Sequence, residues 1–457
     1  MAPGFDAEVD VLVIGAGACG LAAALRAAEG GASVAVVEKL DRLMGNTSVS
    51  SGSVPGAGTR FQHAAGIADT PDAFLDDLLR ISGPHEAEDL AQRLAEISAP
   101  LIEWLVDSAG LEMTLITAYR HVGHRVARLH GPPSRRGRDL LEGLYAATQR
   151  AGVPVAFRTP ARALIEDGAG GVAGAVLEDG TRIGARAVIL ATNGFGADRA
   201  LLERFCPEIA GALYFGAPGS QGEALRWGEN LGAALANTGA YQAHASVAEP
   251  QAALVTWTVV EKGGVVVDAT GQRFGDETLG YSAFAALEAA RPAPRFAIYD
   301  HRVRDFTASR QGEFADLVAH GGAPEDPSLE ALAARRGLDP TALRATLEAA
   351  AATARGVAAD PFGRQDWGLG ALEPPFVSTR IVPALFHTQG GLRVDRDARV
   401  LRPDGRPVPG LYAGGGAAAG ISGQRGGGGY VSGNGLLAAL GLGWLAGAHA
   451  ARQAAPG

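Results

Sequence analysis

The apolar run DVLVI at 10–14 leads directly into GAGACG at 15–20, then LAAALRAAEGG, then a second apolar run, SVAVVEK, at 33–39. The spacing predicts strand, tight turn, helix and strand, the start of a βαβ unit. Gly15, Gly17 and Gly20 form GxGxxG between the strand and the helix. Glycines there, with Ala18 among them, let backbone approach a pyrophosphate that the helix N-terminus stabilises. Ala24 continues close helix–sheet packing. Glu38 stands near the spacing expected for an acid that binds a ribose 2′-hydroxyl, and it would repel a 2′-phosphate. The pattern points to a dinucleotide without that phosphate.

At 457 residues the chain exceeds one ordinary core. Helical periodicity runs from about 71 to 109 and over 138–152. A strand-rich stretch follows, with a hairpin turn at Asp179–Gly180. Residues 240–375 differ in character, with extended segments (LVTWTVV, GGVVVDATGQRF) followed by short helices. From 376 the pattern returns to glycine-rich strand and turn. We therefore expect one α/β domain in two parts, 1–239 and 376–457, interrupted by a capping or substrate domain at 240–375. A cleft between such domains would enclose a substrate.

Three further segments favour FAD over NAD. MGNTSVSSGSVP (44–55) offers Gly45, Asn46, Thr47, Ser51 and Gly52 to an extended ligand. AVILATNGFG (187–196) ends a strand in Thr192, Asn193 and Gly194. GLYAGGG (410–416) supplies a third small-residue turn, with Gly415. Lys39, Ala161, Asn434, Gly435 and Leu436 complete the cofactor candidates. Only one dinucleotide fingerprint is present, so no separate pyridine-nucleotide site is expected.

VDVLVIGAGACGLAAALRAAEGGASVAVVEK, GNTSVSSGSVPGAG, ATNGFG, FHTQGGLRVD and PVPGLYAGGG together resemble the flavoprotein family of succinate dehydrogenase and fumarate reductase. That family includes 3-ketosteroid Δ1-dehydrogenases. The resemblance runs from about Asp10 to Gly447. It implies an α/β fold, a Rossmann-like FAD-binding domain interrupted by an α+β capping domain. Some members link FAD through a histidine in the loop after the second strand. Asn46 takes that position here, so the resemblance implies non-covalent FAD.

In fumarate reductases an arginine four residues beyond G-x-R-F-x-x-E protonates the substrate. Here GQRFGDE (271–277) is followed by Tyr281 at that place, and the upstream proton relay falls near Trp257 and Val260. ETLGYSAF instead resembles the segment carrying the proton-abstracting tyrosine of the ketosteroid dehydrogenases. Tyr430, in GGGGYVSGNG, matches in type a second tyrosine that polarises the carbonyl. Tyr119 matches a further pocket tyrosine by rough position. His387 and His244 match the carboxylate-binding histidines of fumarate reductases. Arg425 or Tyr430 takes the place of their substrate arginine.

The chemistry agrees with these types. Desaturation beside a carbonyl needs a base for the α-proton, a hydride acceptor for the β-hydrogen, and a donor to the carbonyl oxygen. The leading expectation is an FAD-dependent oxidoreductase acting on CH–CH groups, interconverting a saturated carbonyl compound and its α,β-unsaturated form. A reductase of an unsaturated dicarboxylate is the alternative within enzymes. A flavin electron-carrier subunit is the alternative outside them, and an enclosing insertion argues against it. The substrate is expected to be a small carbonyl or carboxylate compound, with an external electron donor or acceptor.

Composition excludes other classes. Lys+Arg 40 against Asp+Glu 49 gives −9 with no basic stripe, so nucleic acid is not an expected partner. The run Arg120, His121, His124, Arg125, Arg128, His130 reads as a solvated basic face. It lacks carboxylates at ligand spacing, so no metal is expected. Two cysteines, Cys19 and Cys206, exclude a disulfide scaffold. Acidic residues before the first strand disfavour a signal peptide, and the apolar stretch 436–448, interrupted by glycines, reads as a buried helix rather than a membrane span. The expected location is the cytoplasm.

Overall fold

A computed structural model of the chain describes residues 4–117 and 121–454. The first apolar run is strand β1, Ala7–Ile14, followed by helix α1, Ala18–Glu29, and strand β2, Val34–Val37. β1 is flanked by β2 on one side and by strand Arg182–Leu190 on the other, both parallel, with Val11 opposite Val34 and Ala187. A strand covered on both faces must be apolar throughout, and Val11, Leu12, Val13 and Ile14 are all buried. Strand Val155–Ala156 extends this sheet beyond β2, and strand Pro407–Ala413 extends it beyond Arg182–Leu190, again in parallel. The antiparallel hairpin Ala161–Glu166 and Val172–Leu177 feeds into Arg182–Leu190 through the turn in which Gly180 takes φ +92°.

α1 packs against the long helix Asn434–Ala454, which contains the apolar stretch read as a buried helix. Its glycines are the seam rather than interruptions. A Cβ on Gly443 would lie 2.2 Å from the Cys19 carbonyl oxygen, and one on Gly447 would lie 2.2 Å from that of Ala23. Only glycine lets the two backbones come this close. Among the described residues no helix is long and apolar enough to cross a membrane. Cys19 and Cys206 are both buried, and burial pushes the Cys19 thiol up to about 12.

The helical stretch 71–109 is two helices, Pro71–Ser82 and Glu88–Asp107. The chain between them turns at Gly83, whose φ is +63°, and Pro84 follows.

The chain divides into two compact units: Met1–Cys206, Gly216–Tyr241 and Phe386–Gly457 form one, and Pro207–Phe215 with Gln242–Leu385 the other. The first holds the parallel sheet just described. The second is α+β. Strand Phe376–Thr388 pairs antiparallel with Arg295–Asp300, which pairs with Val265–Val267. Helices Tyr281–Ala289, His301–Ala308, Gly312–Ala319, Leu329–Arg336 and Pro340–Ala354 belong to the same unit, as does the short helix Thr258–Glu261. The break expected at 375 falls just before the long strand Phe376–Thr388, most of which stays with the second unit. Pro207–Phe215 joins that unit because Leu213–Tyr214 pairs in parallel with Ala384–Leu385.

One local expectation is corrected. LVTWTVV is not extended throughout, since Thr258–Glu261 is a helical turn. Its β-branched residues favour a strand in isolation. Tertiary bonds override them: the Trp257 indole donates to the Glu277 carbonyl at 3.1 Å, and Val260 accepts from Arg364 at 2.8 Å.

Candidate active site

The turn after β1 is built from backbone at the limit of contact. Gly15 takes φ +110°, and a Cβ there would lie 2.4 Å from the Ala191 carbonyl oxygen. A Cβ on Gly20 would lie 1.8 Å from the Gly15 carbonyl oxygen. Gly17, the N-cap of α1, differs: a Cβ there would meet no atom within 4 Å, and no side chain caps the helix. The open side of the turn is therefore at Gly17, where a pyrophosphate could approach the helix N-terminus. Glu38 is buried at the end of β2. One of its carboxylate oxygens accepts the Ala16 N–H at 2.8 Å and the other the Leu40 N–H at 2.9 Å.

The next segments close around the same edge. Thr47 Oγ1 accepts the Ala18 N–H at 3.4 Å, tying the 44–55 loop to α1. Asn46 Oδ1 accepts the Ala217 N–H at 2.7 Å, and its amide donates to the Phe386 carbonyl at 3.5 Å. Gly45 has open space where a Cβ would stand, whereas one on Gly52 would meet the backbone of Gly137 at 3.1 Å. Ser51 bonds Ser53, and Ala161 opens its strand half-buried. Lys39 is spent within the protein, on the Gly219 carbonyl at 2.5 Å and on Glu223.

At the third segment, Asn193 adopts φ +67°, and its side chain bonds Gly194 N–H and Ser220 Oγ. Gly415 also takes a positive φ, +59°. Two buried oxygens here, Thr192 Oγ1 and Asn434 Oδ1, have no hydrogen-bond partner among the described residues. Buried polar atoms are satisfied in native proteins by protein, water or ligand. Both orphans fall on residues expected to hold the cofactor. Together with the open cradle at Gly17, they fit a long polar dinucleotide such as FAD.

In the second unit the structure brings together His244 and Tyr281. The rings stack with centroids 4.7 Å apart and 14° between planes, and Trp257 meets His244 edge-on at 6.1 Å. His244 Nδ1 accepts the Ser246 N–H at 3.2 Å, which places the ring proton on Nε2. Burial pushes His244 down to about 3, so the imidazole is neutral at ordinary pH. Tyr281 is the first residue of its helix, after Gly280 with φ +93°.

A lattice of buried charge fixes that helix start. Arg273 reaches Glu277 and Asp360, each at 2.6 Å, and Arg364 reaches Glu277 at 3.3 Å. Sequence reading missed this lattice, although the i,i+4 spacing of Arg273 and Glu277 was a signal for half of it.

In the first unit the structure brings His387 and Tyr430 together, ring centroids 6.0 Å apart and nearly perpendicular. Gln389 donates to His387 Nδ1 at 3.2 Å, and desolvation pushes His387 down to about 4. A Cβ on Gly435 would stand 3.0 Å from that ring, and Leu436 beside it is half-buried. Arg425 is exposed on a short strand paired with Gly239–Ala240, and its guanidinium makes no hydrogen bond or ion pair among the described residues. Tyr119 and Arg120 lie outside the described residues.

Over the described residues 121–130 the basic run is not one solvated face, although Arg125 is exposed. Arg128 is fully buried and forks onto Asp69 with two bonds of 2.7 Å, while its other nitrogen reaches Asp77 at 2.9 Å. His124 and His130 are buried as well. The compensating acids lie far upstream in sequence, so the run alone could not reveal them. Among the described residues no group of three His, Cys, Asp or Glu could hold a metal.

Comparison with known proteins follows this geometry. The family model of the FAD binding domain matches residues 10–431. The chain is 30% identical over 453 residues to NADH:fumarate oxidoreductase of Klebsiella pneumoniae (strain 342), covering 97% of this chain and 48% of that protein. It thus spans about half the length of that relative. It is 28% identical over 544 residues to 4-oxocyclohexanecarboxylate 2-dehydrogenase of Sinomonas cyclohexanicum, covering 98% of this chain and 93% of that one. Among solved structures it is similar to the open conformation of a flavocytochrome c3 fumarate reductase, with TM-score 0.84 and 27% identity over 99% of this chain and 80% of the other.

Proposed function

We propose that this chain, which belongs to the FAD binding domain family and is an FAD-dependent oxidoreductase acting on CH–CH groups, interconverts a saturated carbonyl compound and its α,β-unsaturated form. The observation that carries the reading is Tyr281, stacked on a neutral His244 at the place where fumarate reductases are expected to hold their proton-donating arginine. Gly15, Gly17, Glu38, Thr47, Thr192 and Asn434 would hold FAD. The cofactor is non-covalent in this reading, since Asn46 replaces the linking histidine and is spent on Ala217 and Phe386. When bound, FAD supplies the two-electron acceptor or donor for the substrate β-carbon.

The chain's own residues move the proton. In the reducing direction the Tyr281 hydroxyl protonates the substrate α-carbon. In the reverse direction its phenolate removes that proton. An ordinary phenol has pKa about 10 and is nearly all protonated at neutral pH, so donation needs no shift. Tyr430, beside His387, would hydrogen-bond the carbonyl oxygen and stabilise the developing enolate. An external partner supplies or removes electrons.

Arg425 favours a second reading, reduction of an unsaturated dicarboxylate. An exposed guanidinium without a partner among the described residues suits a carboxylate. The 4-oxocyclohexanecarboxylate relative is named for a substrate with both ketone and carboxylate, and Arg425 and Tyr430 stand on one loop of the first unit, so these two could serve one molecule.

The test is anaerobic flavin bleaching or reoxidation against cyclic ketones, cyclohex-2-enone and fumarate. The leading reading expects response to the ketones or the enone. Tyr281→Phe should keep FAD and melting near wild type while turnover falls by about 10²–10⁴, the worth of a positioned acid or base. Retention of more than about a third of turnover, under 1 kcal/mol of barrier, would end the tyrosine role. Response to fumarate alone, abolished by Arg425→Met, would establish the second reading instead.

A further inference from the structure

The basic run at 121–130 has no part in the chemistry above, yet the side chains of His124, Arg125 and Arg128 are all hydrogen-bonded within the first unit. Arg128 contributes only donors, and the Ser432 carbonyl only accepts. His124 stands between them: Arg128 Nη1 lies 3.0 Å from its Nδ1, and Ser432 O lies 2.8 Å from its Nε2. One arrangement satisfies both contacts. Nδ1 accepts from the guanidinium, and Nε2–H donates to the carbonyl.

Ser432 closes the glycine-rich loop that carries Arg425 and Tyr430. Its N–H donates to the Val122 carbonyl at 3.1 Å, so the two segments are bonded in both directions. Gly123 permits the approach, since a Cβ there would lie 2.8 Å from Val431. Both arms of the loop rest on helix Pro71–Ser82: a Cβ on Gly423, near its start, would meet the Ser82 carbonyl oxygen at 2.8 Å, and one on Gly429, near its end, would meet Ser82 Cα at 3.1 Å. Asp77, on the same helix, accepts from Arg80 at 3.0 Å, from Arg125 Nε at 2.7 Å and from Arg128 at 2.9 Å. One helix therefore holds the loop at both ends, directly through Ser82 and indirectly through Asp77, Arg128 and His124.

We infer that His124 is a positioning residue: by bridging Arg128 to the Ser432 carbonyl, it sets the conformation of loop 421–433 and with it the placement of Arg425 and Tyr430. The effect on turnover rests on the function proposed above; the effect on the loop does not.

The experiment compares wild type, His124→Leu and His124→Gln as FAD-loaded proteins. Leucine removes both bonds, whereas the glutamine amide restores one acceptor and one donor. The first readout is backbone hydrogen exchange. His124→Leu should speed exchange in 421–433 at least about tenfold while β1 and α1 stay protected, and His124→Gln should return it toward wild type. The second readout is steady-state kinetics with cyclohex-2-enone and fumarate. For whichever probe is turned over, His124→Leu should raise KM by a larger factor than it lowers kcat, with FAD content unchanged. Unchanged exchange in His124→Leu, no rescue by His124→Gln, or a loosened loop with unaltered kinetics would each overturn the inference. If wild type turns over neither probe nor a saturated cyclic ketone, the functional reading falls, and exchange alone decides whether His124 sets the loop.

Discussion

The turn that cradles the dinucleotide and the turn that presents Tyr281 are made of different materials. The first is backbone against backbone, with glycines at distances no Cβ could share and no fixed charge but Glu38. The second is a lattice of Arg273, Glu277, Asp360 and Arg364, all buried. The difference predicts how each fails. The cradle should be intolerant of a methyl group, and the Tyr281 turn intolerant of a lost charge.

The largest effect is expected at Gly20. Gly20→Ala places a Cβ 1.8 Å from the Gly15 carbonyl oxygen, and the turn must open. The purified protein should carry no flavin and should melt far below wild type. Gly17→Ala is the matched control, because its methyl meets no protein atom. It should melt as wild type without FAD while binding FAD at least about tenfold more weakly, about 1.4 kcal/mol. Equal behaviour of the two variants would show that the cradle is not tuned to a ligand.

Next comes Glu277→Leu, which leaves the buried Arg273 guanidinium with Asp360 and the buried Arg364 guanidinium facing only backbone carbonyls among the described residues. Breaking such a network by removing one partner costs about 3–5 kcal/mol. Calorimetry should show a lower melting temperature, with FAD affinity preserved. A variant as stable as wild type would mean that the lattice does not fix the Tyr281 turn.

The smallest effect is on acid stability. In the first unit burial or desolvation holds His124, His130 and His387 at about 4, below the ordinary 6.5. A histidine depressed on folding gives up stability as pH falls from 6.5 towards 4, because only the unfolded chain takes the proton. The second unit has His244 depressed in the same way, to about 3, but its buried Glu288 is shifted up, chiefly by desolvation. A raised carboxyl acts oppositely and favours the folded state as pH falls. Flavin fluorescence and far-UV melting between pH 7.5 and 4.5 should therefore show the first unit destabilised at higher pH than the second. Loss of both units together, or of the second first, would break the contrast.

The same contrast explains what the sequence disclosed. β1, α1, β2 and the Gly15–Gly20 turn were legible because backbone-built sites need glycine at fixed offsets and apolar runs beside them. Strand Arg182–Leu190, the hairpin before it and helix Gly137–Arg150 were legible for the same periodic reasons. Charge-built structure was not. Arg128 looked solvated because Asp69 and Asp77 lie 59 and 51 residues away, and Asp360 is still more remote from Arg273, at 87. Helix Thr258–Glu261 was hidden by its β-branched residues, because Glu277 and Arg364, which bond Trp257 and Val260, come later in the chain. The two-residue strand Leu213–Tyr214 left no period to read. Of the candidate site, the pairing of His244 with Tyr281 and of His387 with Tyr430 depends on long-range packing that no local pattern encodes.

The glycine seam between α1 and helix Asn434–Ala454 bears on how the protein is made. The nucleotide fingerprint precedes Gly443 in the chain by more than about four hundred residues, yet α1 packs its Cys19 and Ala23 backbone against Gly443 and Gly447. Until those residues are translated, the fingerprint helix exposes an apolar, closely fitting surface with nothing to seat against it. A nascent chain stalled short of residue 443 should accordingly be a chaperone client rather than a flavoprotein.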